Sequence, residues 1–173
     1  SLGAWSHGKE NTSGGSSVGW TDQSDLDSRN ARLKAYSLDI NQWDTADVYG
    51  EGHSEKIIGS MWKEIPRNDI FLATKVGWDM GGYGYWYNPK YMKIKMENSL
   101  KNLKTYCVDL MYLHHCNFGK NNEYLDDAID IMLRFKEEGK TRFVGLSDWS
   151  PTRILKFIEK VDPDVVQPLY NVY

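Results

Sequence analysis

Four side chains that could together move a proton lie far apart in the sequence: Asp44, Tyr49, Lys75 and His114. A tyrosine phenol has an unperturbed pKa of about 10. To act as a general acid near neutral pH, it needs its anion stabilised by roughly three pKa units, or about 4 kcal/mol. A lysine ammonium about 4 Å away, at an effective dielectric constant of about 20, supplies that much. Tyr49 is therefore a candidate proton donor, with Lys75 as the cation beside it.

The other two residues could complete such a site. If Lys75 points into the protein, Asp44 is its natural partner, because a buried ammonium needs a counter-charge. His114 could orient a substrate carbonyl by donating a hydrogen bond, or share the proton transfer. This set would protonate a carbonyl oxygen while another group delivers hydride, and since no side chain is a hydride donor, a nicotinamide cofactor is implied. Taken alone, Asp44 and Tyr49 could equally cap a loop and fill a core.

These residues are spread over a regular alternation of short apolar segments and amphipathic ones, which is typical of parallel βαβ units. Strands are predicted at 2–5, 40–44, 70–76, 107–113, 142–146 and 165–167. Helices are predicted at 25–38, from Ser54 onward, at 89–103, at 124–138 and from 150–151 onward. Ser54, Asn88 with Pro89, and Ser150 with Pro151 are the predicted helix starts, and Gly139 is a predicted left-handed C-terminal residue.

Polar residues collect where successive strands end. They are Asp44, Lys75, His114, Ser147 and Gln167. Six strands are fewer than a closed (β/α)₈ barrel requires, so the chain is either an open doubly wound sheet or part of a barrel. Convergence from five strands onto one mouth favours the barrel, because an open sheet concentrates its site at one switch point. We therefore expect a single domain over 1–173, an incomplete TIM barrel of about six parallel strands.

Two loops differ sharply in composition. Residues 11–19 are rich in glycine and serine and predict a long mobile loop. They do not form a Gly-x-x-x-x-Gly-Lys phosphate loop, because no lysine follows the glycines in that register. Residues 77–87 are crowded with tryptophan and tyrosine in a glycine-rich context, which favours a lid over a substrate pocket rather than core packing. His115 is interpreted as a wall of the same pocket.

Composition and charge exclude several partners. The 173 residues are 40% hydrophobic and 26% charged, with a net charge of −3, and the pI is near 5.8. Nothing in this balance attracts a polyanion, so we expect no nucleic-acid partner. No apolar run approaches the roughly 20 residues of a membrane span, and the amino terminus does not resemble a signal peptide. We expect no membrane insertion and a cytoplasmic location.

No metal site is expected from the histidines and cysteines. His114 and His115 are adjacent on a predicted strand and face opposite ways, so they do not supply two ligands from one face. A barrel metallohydrolase is therefore a weaker alternative function. Cys107 and Cys116 do not form a disulfide framework, and we interpret them as reduced core residues.

Taken in order, these motifs resemble those of the aldo-keto reductase family. The matching segments are Asp44-Thr-Ala-Asp-Val-Tyr49-Gly, Lys75 after an apolar strand, Asp109-Leu-Met-Tyr-Leu-His114, Gly145-Leu-Ser147-Asp148-Trp149-Ser150, and Gln167 followed by Tyr170 and Asn171. They cover nearly the whole chain. The Trp-Ser after Asp148 resembles the branch that includes bacterial reductases and the potassium-channel beta subunits more closely than the small monomeric aldose reductases.

The resemblance implies a (β/α)₈ barrel that reduces aldehydes or ketones with NADPH. It assigns catalytic roles to Asp44, Tyr49, Lys75 and His114, with Tyr49 as the proton donor. It assigns cofactor contacts, made mainly to the nicotinamide carboxamide, to a second set: Trp5, Asp44, Ser147, Asp148 and Gln167.

The chain also departs from the family pattern. Asp148 stands where the family has Asn, or Arg in the channel subunits, and a carboxylate cannot donate a hydrogen bond to a carboxamide oxygen. Asp39 occupies a turn where Gly is usual, and the seventh and eighth strands are absent from the chain. An alternative is therefore a regulatory or partner-binding protein on the reductase scaffold, or an inactive fragment. Exposed sheet edges would favour a longer polypeptide, a homo-oligomer or a complementing chain.

Overall fold

The computed structural model describes residues 1–7, 12–13, 16–17, 23–79 and 81–170. In chain order its elements are β1 (Leu2–Gly3), a 3₁₀ helix (Trp5–His7), β2 (Thr12–Ser13), β3 (Ser16–Ser17), α1 (Asp25–Tyr36), β4 (Gln42–Asp44), α2 (His53–Gly59), a 3₁₀ helix (Arg67–Asp69), β5 (Phe71–Val76), α3 (Pro89–Leu103), β6 (Val108–Leu113), α4 (Leu125–Glu137), β7 (Thr141–Asp148), α5 (Pro151–Val161) and β8 (Val165–Pro168).

Six of the strands form one sheet in the order β1-β4-β5-β6-β7-β8. Every neighbouring pair is parallel, and a helix connects each strand to the next. This confirms the predicted incomplete (β/α)₈ barrel of six parallel strands. None of the helices in the described ranges is long and apolar enough to cross a membrane.

The serine- and glycine-rich segment 11–19 differs in part from the expectation of a loop. Within it, β2 and β3 pair in an antiparallel two-stranded sheet. Neither strand carries the apolar alternation by which strands are recognised in a sequence. The rest of that segment lies outside the described residues, as does Asn171 of the last motif.

Local signals explain most of the helix boundaries. The side chain of Asn88 accepts a hydrogen bond from the Lys90 amide at 3.0 Å, capping α3 as predicted. Gly139 has a φ of 71° just beyond α4, the left-handed conformation that a C-terminal glycine adopts without strain. Asp39 occupies its turn with a φ of 58°, which explains why glycine is usual in that place.

The predicted capping role of Ser54 is wrong. Helix α2 begins one residue earlier, at His53, after Gly52 with a φ of 82°. The Ser54 hydroxyl instead accepts a hydrogen bond from Thr45 at 2.9 Å and donates one to the carbonyl of Ala4 at 3.3 Å. Ser54 therefore ties the end of β1 to the segment that follows β4.

Alternation along the strands divides the core into two faces. The larger apolar cluster lies between the sheet and the helices, and Leu72 and Val76 of β5 belong to it. A smaller cluster occupies the other face, inside the curve of the sheet, and includes Ala73 of β5. Successive side chains of a strand point to opposite faces, so Lys75 lies on the inner face with Ala73. The same alternation places Asp44, His114, Ser147 and Gln167 on the inner face.

Helix α2 packs closely against the end of α3. A methyl group added at Gly59 would overlap the Asn102 carbonyl oxygen and lie 2.7–2.9 Å from backbone atoms of Leu103. Beside this contact, Glu55 is 1% exposed and accepts hydrogen bonds from Thr74 at 2.8 Å and Asn102 at 3.1 Å. Burial raises the pKa of Glu55 from 4.5 to about 7.

Substituting Gly59 by alanine should destabilise the fold. Because the obstructing atoms are backbone, they cannot move aside cheaply, and we expect a loss of about 1–3 kcal/mol in the free energy of unfolding. Denaturant unfolding followed by circular dichroism measures it. Gly82→Ala is the matched control, since nothing lies within 4 Å of the added methyl there. Equal stabilities for the two variants would contradict this packing.

Glu55 should make stability depend on pH. Its folded-state pKa is raised, so the folded chain holds the proton more tightly, and the stabilisation present at low pH is lost as pH rises from about 4.5 to about 7. Glu55→Gln cannot ionise. We therefore expect the stability of this variant relative to wild type to increase by on the order of 3 kcal/mol between about pH 4 and pH 8. Urea unfolding at both pH values measures this, with exposed Glu159→Gln as control, and a pH-independent difference would refute it.

Candidate active site

Three of the four proposed catalytic side chains meet around one ammonium group. Lys75 forms an ion pair with Asp44 through Oδ1, and its Nζ donates a hydrogen bond to the Thr45 carbonyl at 2.9 Å. The same Nζ lies 3.5 Å from the hydroxyl of Tyr49. The Lys75 side chain is only 3% exposed. The sequence left open whether Lys75 points inward or outward, and the structure places it inward.

The loop after β4 is held in place by the neighbouring strand. The Thr45 amide donates to the Ala73 carbonyl at 2.9 Å, and the Asp47 amide donates to the Lys75 carbonyl at 3.2 Å. The loop therefore continues the sheet pairing for several residues beyond β4. It then turns into α2, bringing the phenol of Tyr49 back over the end of β5.

The pKa of Tyr49 shifts in the opposite direction to the one expected from the sequence. Burial is the largest effect and raises its pKa above the usual value of 10, while the charge of Lys75 acts in the opposite direction and only reduces the rise. The expected net lowering by lysine is therefore not seen. Its physical reason is that removing the phenolate from water costs more than the ammonium restores. Tyr49 is thus a neutral phenol at physiological pH, with its proton available.

His114 lies on the other side of the phenol. Its ring is 5.8 Å from the Tyr49 ring, edge to face, and 5.5 Å from the Trp78 ring. Burial, with the charge of Lys75 as a further cause, holds the pKa of His114 well below 6.5, so the imidazole is neutral. Within the described part of the chain, its buried Nδ1 has no hydrogen-bond partner.

The ends of β7 and β8 extend the cluster. Gln167 donates from Nε2 to the second carboxylate oxygen of Asp44 at 3.1 Å. Ser147 donates from its hydroxyl to Oε1 of Gln167 at 3.4 Å. Side chains from β4, β5, β7 and β8 are thereby joined in one network, and His114 from the end of β6 reaches it through the Tyr49 ring. Polar side chains from five strand ends thus meet at one mouth, as expected from the sequence.

Ser147 and Gln167 have the chemistry that a nicotinamide carboxamide requires. A carboxamide both donates and accepts hydrogen bonds, and a serine hydroxyl and a primary amide can each do both. Gln167 is partly exposed, so its amide remains accessible from the mouth. The donor set at this end of the sheet therefore fits the nicotinamide carboxamide that the sequence motifs imply.

Asp148 has a different environment from its two neighbours. Its Oδ2 accepts a hydrogen bond from the Cys116 amide at 2.8 Å, and its Oδ1 accepts one from the Ser150 amide at 2.7 Å. Arg153 lies 3.7 Å from Oδ2. The side chain is 2% exposed, so this carboxylate joins the ends of β6 and β7 and positions the start of α5.

A pocket of about 420 Å³ opens beside the histidines. Its lining consists of Trp78, Trp86, His115, Asn117, Asp148, Trp149, Ser150 and Arg153. Burial lowers the pKa of His115 to about 4, so its imidazole is uncharged at neutral pH. Trp149 also touches Trp78, at 6.1 Å between rings, and Trp5, at 6.3 Å.

Only part of the aromatic loop lines this pocket. Tyr83 stacks on Tyr91 at 4.8 Å, and Tyr85 stacks on Tyr124 at 4.7 Å, so both pack against helical neighbours. Tyr87 is fully buried and donates to the His115 carbonyl at 2.5 Å. These contacts join residues distant in sequence, which local composition does not reveal.

Sequence reasoning missed four of the lining residues. Asn117, Trp149, Ser150 and Arg153 were not singled out as pocket residues, although all four follow the ends of β6 or β7. That position was the available signal, because loops at the carboxyl ends of barrel strands form the site. Within the described ranges, no group of three or more histidine, cysteine or acidic side chains is arranged to hold a metal ion.

Comparisons with known proteins agree with this architecture. The chain is 37% identical over 131 residues to the uncharacterized oxidoreductase YqkF of Bacillus subtilis, covering 73% of this chain and 42% of that protein. It is 31% identical over 144 residues to the aldo-keto reductase yakc [NADP(+)] of Schizosaccharomyces pombe, covering 80% and 42%. The solved holo form of aldo-keto reductase AKR11C1 from Bacillus halodurans aligns with a TM-score of 0.76 at 29% identity, covering 98% and 52%.

The chain thus spans about half the length of these relatives. The sequence profile of the Aldo/keto reductase family matches residues 1–173. The match covers every strand end that contributes to the network around Lys75. The chain belongs to the aldo/keto reductase family.

Proposed function

We propose that this chain carries the active site of an NADP(H)-dependent reductase that converts aldehydes or ketones to alcohols. The observation that carries the proposal is the inward-facing Lys75, which contacts Asp44 and lies 3.5 Å from the Tyr49 hydroxyl. A buried ammonium beside a neutral phenol is an arrangement suited to giving up a proton and stabilising the anion that remains.

Tyr49 is the proton donor in this proposal. Its phenol is protonated at neutral pH because burial raises its pKa. When it releases its proton to a carbonyl oxygen, the phenolate is left beside Lys75, whose charge favours that anion. Asp44 holds the ammonium in place through the ion pair. The lysine therefore acts mainly after proton release.

His114 orients the substrate. Because its imidazole is neutral, one ring nitrogen carries a hydrogen and can donate to a carbonyl oxygen without adding a charge. Its ring packs edge to face with that of Tyr49, so a substrate carbonyl could lie within reach of both groups. Two neutral donors converging on one oxygen would polarise the carbonyl while it is reduced.

A reduced nicotinamide, when bound, supplies the hydride that no side chain can provide. Ser147 and Gln167 would hold its carboxamide, with Asp44 fixing the glutamine amide at 3.1 Å. Trp5 would lie near the cofactor, since its ring contacts Trp149 beside the pocket. The relative from Schizosaccharomyces pombe carries NADP(+) in its name, and the relative from Bacillus halodurans was solved in a holo form, which supports a bound cofactor. A direct contact from Asp148 is the weakest of these assignments, because backbone amides already engage both its oxygens.

The pocket supports a small carbonyl compound as the substrate class. Three tryptophans and a neutral histidine form half of its lining, which favours an apolar or aromatic group next to the reacting carbonyl. The polar residues Asn117, Asp148, Ser150 and Arg153 complete the lining. Trp78 touches both histidines, so this pocket adjoins the proton donor's site.

Tyr49→Phe tests the proposal. Removing the hydroxyl should lower the rate of NADPH-dependent aldehyde reduction by at least about 100-fold, the usual contribution of a positioned acid. The free energy of unfolding should change by less than about 1 kcal/mol, because the variant loses only one long hydrogen bond. Tyr106→Phe is the matched control, since that tyrosine is 96% exposed. Unimpaired turnover by Tyr49→Phe would refute the assignment.

A further inference from the structure

Helix α3 places a lysine between two loops of the site. The Nζ of Lys95 lies 3.2 Å from Oδ2 of Asp47 and 3.1 Å from Oδ2 of Asp79. The Lys95 side chain is 15% exposed, and those of Asp47 and Asp79 are 5% and 48% exposed. This charge cluster lies outside the network around Lys75, and the proposed chemistry does not use it.

The two carboxylates belong to opposite sides of the site. Asp47 lies two residues before Tyr49, on the loop that carries the proton donor. Asp79 directly follows Trp78, which lines the pocket and contacts His114. One ammonium on a packed helix therefore connects the loop of the donor to the wall of the pocket.

The outer half of this connection is reinforced. Tyr91, one turn before Lys95 on α3, donates from its hydroxyl to Oδ2 of Asp79 at 2.5 Å. The Gly81 amide donates to Oδ1 of Asp79 at 2.9 Å. The Lys95 ammonium also lies 5.4 Å from the centre of the Tyr91 ring. Oδ2 of Asp79 is thus held by two side chains of α3, while Oδ1 forms a hydrogen bond within its own loop.

The inner half is an ion pair in a dry environment. Burial raises the pKa of Asp47, and the charge of Lys95 opposes that rise. Burial is also the largest single effect on Lys95 and acts to lower its pKa, but Asp47, Tyr91 and Asp79 together outweigh it, so the pKa of Lys95 is raised. The 3.2 Å contact with Lys95 thus favours the charged form of each group against the effect of burial. An ion pair shielded from water is weakly screened, so it restrains the two loops more firmly than a surface pair would.

We propose that Lys95 is a positioning residue that fixes the pocket wall formed by Trp78 relative to the proton donor Tyr49. The effect of Lys95 on catalysis rests on the proposed reductase function. The restraint that Lys95 places on the loop does not. In the described part of the chain, Lys95 contacts Asp47, Asp79 and Tyr91, and none of these three side chains is among the pocket-lining residues. Lys95 acts through Asp47 and Asp79, and so it controls how well an aldehyde is held for reduction.

Asp79→Asn tests the outer half without placing an unpaired charge in the interior, because Asp79 is half-exposed. We expect KM for an aromatic aldehyde to rise about tenfold, the effect of losing one charge-assisted hydrogen bond. The value of kcat should change by less than about twofold, since the Tyr49 loop keeps its own partner. Asp126→Asn is the matched control, because it breaks an exposed ion pair, with Lys160.

Hydrogen exchange measured by mass spectrometry supplies a readout that does not require turnover. In Asp79→Asn, amides of peptides covering 81–88 should exchange about tenfold faster, while those of β6 should be unchanged. The double variant Asp47→Asn/Lys95→Met removes the whole connection without leaving a buried charge. The double variant should show the same faster exchange at 81–88 and should also have a lower kcat. Lys101→Met is the exposed control on the same helix.

The outcomes separate the two proposals. If wild type shows no turnover, the reductase function fails, and the exchange data still decide whether Lys95 restrains the loop. Unchanged exchange at 81–88 in both variants would overturn the positioning role. Faster exchange with unchanged KM and kcat would show a purely structural ion pair and would also overturn it.

Discussion

The ion pair between Lys75 and Asp44 is the interaction on which the rest of the site depends. Strand alternation places Lys75 on the inner face of the sheet, where its ammonium is shielded from water. An ion that leaves water loses several kcal/mol of solvation, and removing one member of a buried pair costs about 3–5 kcal/mol. Asp44 supplies the counter-charge, and Gln167 donates to its other oxygen. The need to pair one charge thus brings the ends of β4, β5 and β8 together.

Burial shifts the pKa values of Tyr49 and His114 in opposite directions and keeps both side chains neutral. It raises the pKa of Tyr49, so the phenol keeps its proton, and it lowers the pKa of His114, so the imidazole carries no charge. Lys75 and Asp44 therefore form a compensated ion pair, and the neutral hydrogen-bond donors Tyr49 and His114 lie beside it. Such a site can accept a neutral carbonyl without first rearranging its charges. Farther out, Lys95 repeats the principle, since its one ammonium holds the two loops that frame this space.

Much of this arrangement could be predicted because it follows from local periodicity. The alternation of short apolar strands with amphipathic helices predicted the parallel sheet, whose register brings the strand ends to one mouth. The direction of Lys75 was left open, because β5 has no alternation of buried and exposed residues. Properties set by tertiary packing could not be predicted. The direction of the Tyr49 pKa shift depends on how completely the loop encloses the phenol, and the true partners of Ser54 lie just beyond β1 and β4. The short β2–β3 pair escaped notice because serine and threonine gave it no apolar pattern.

The most direct test of a carbonyl-reducing site is to follow the transferred hydride itself. The chain would be incubated with an aromatic aldehyde and NADPH that carries deuterium at the reactive carbon of the nicotinamide, and the product would be analysed by mass spectrometry. We expect wild type to form an alcohol with one deuterium on the former carbonyl carbon. A folded chain that binds NADPH yet yields no deuterated alcohol with any aldehyde of a broad panel would contradict this expectation.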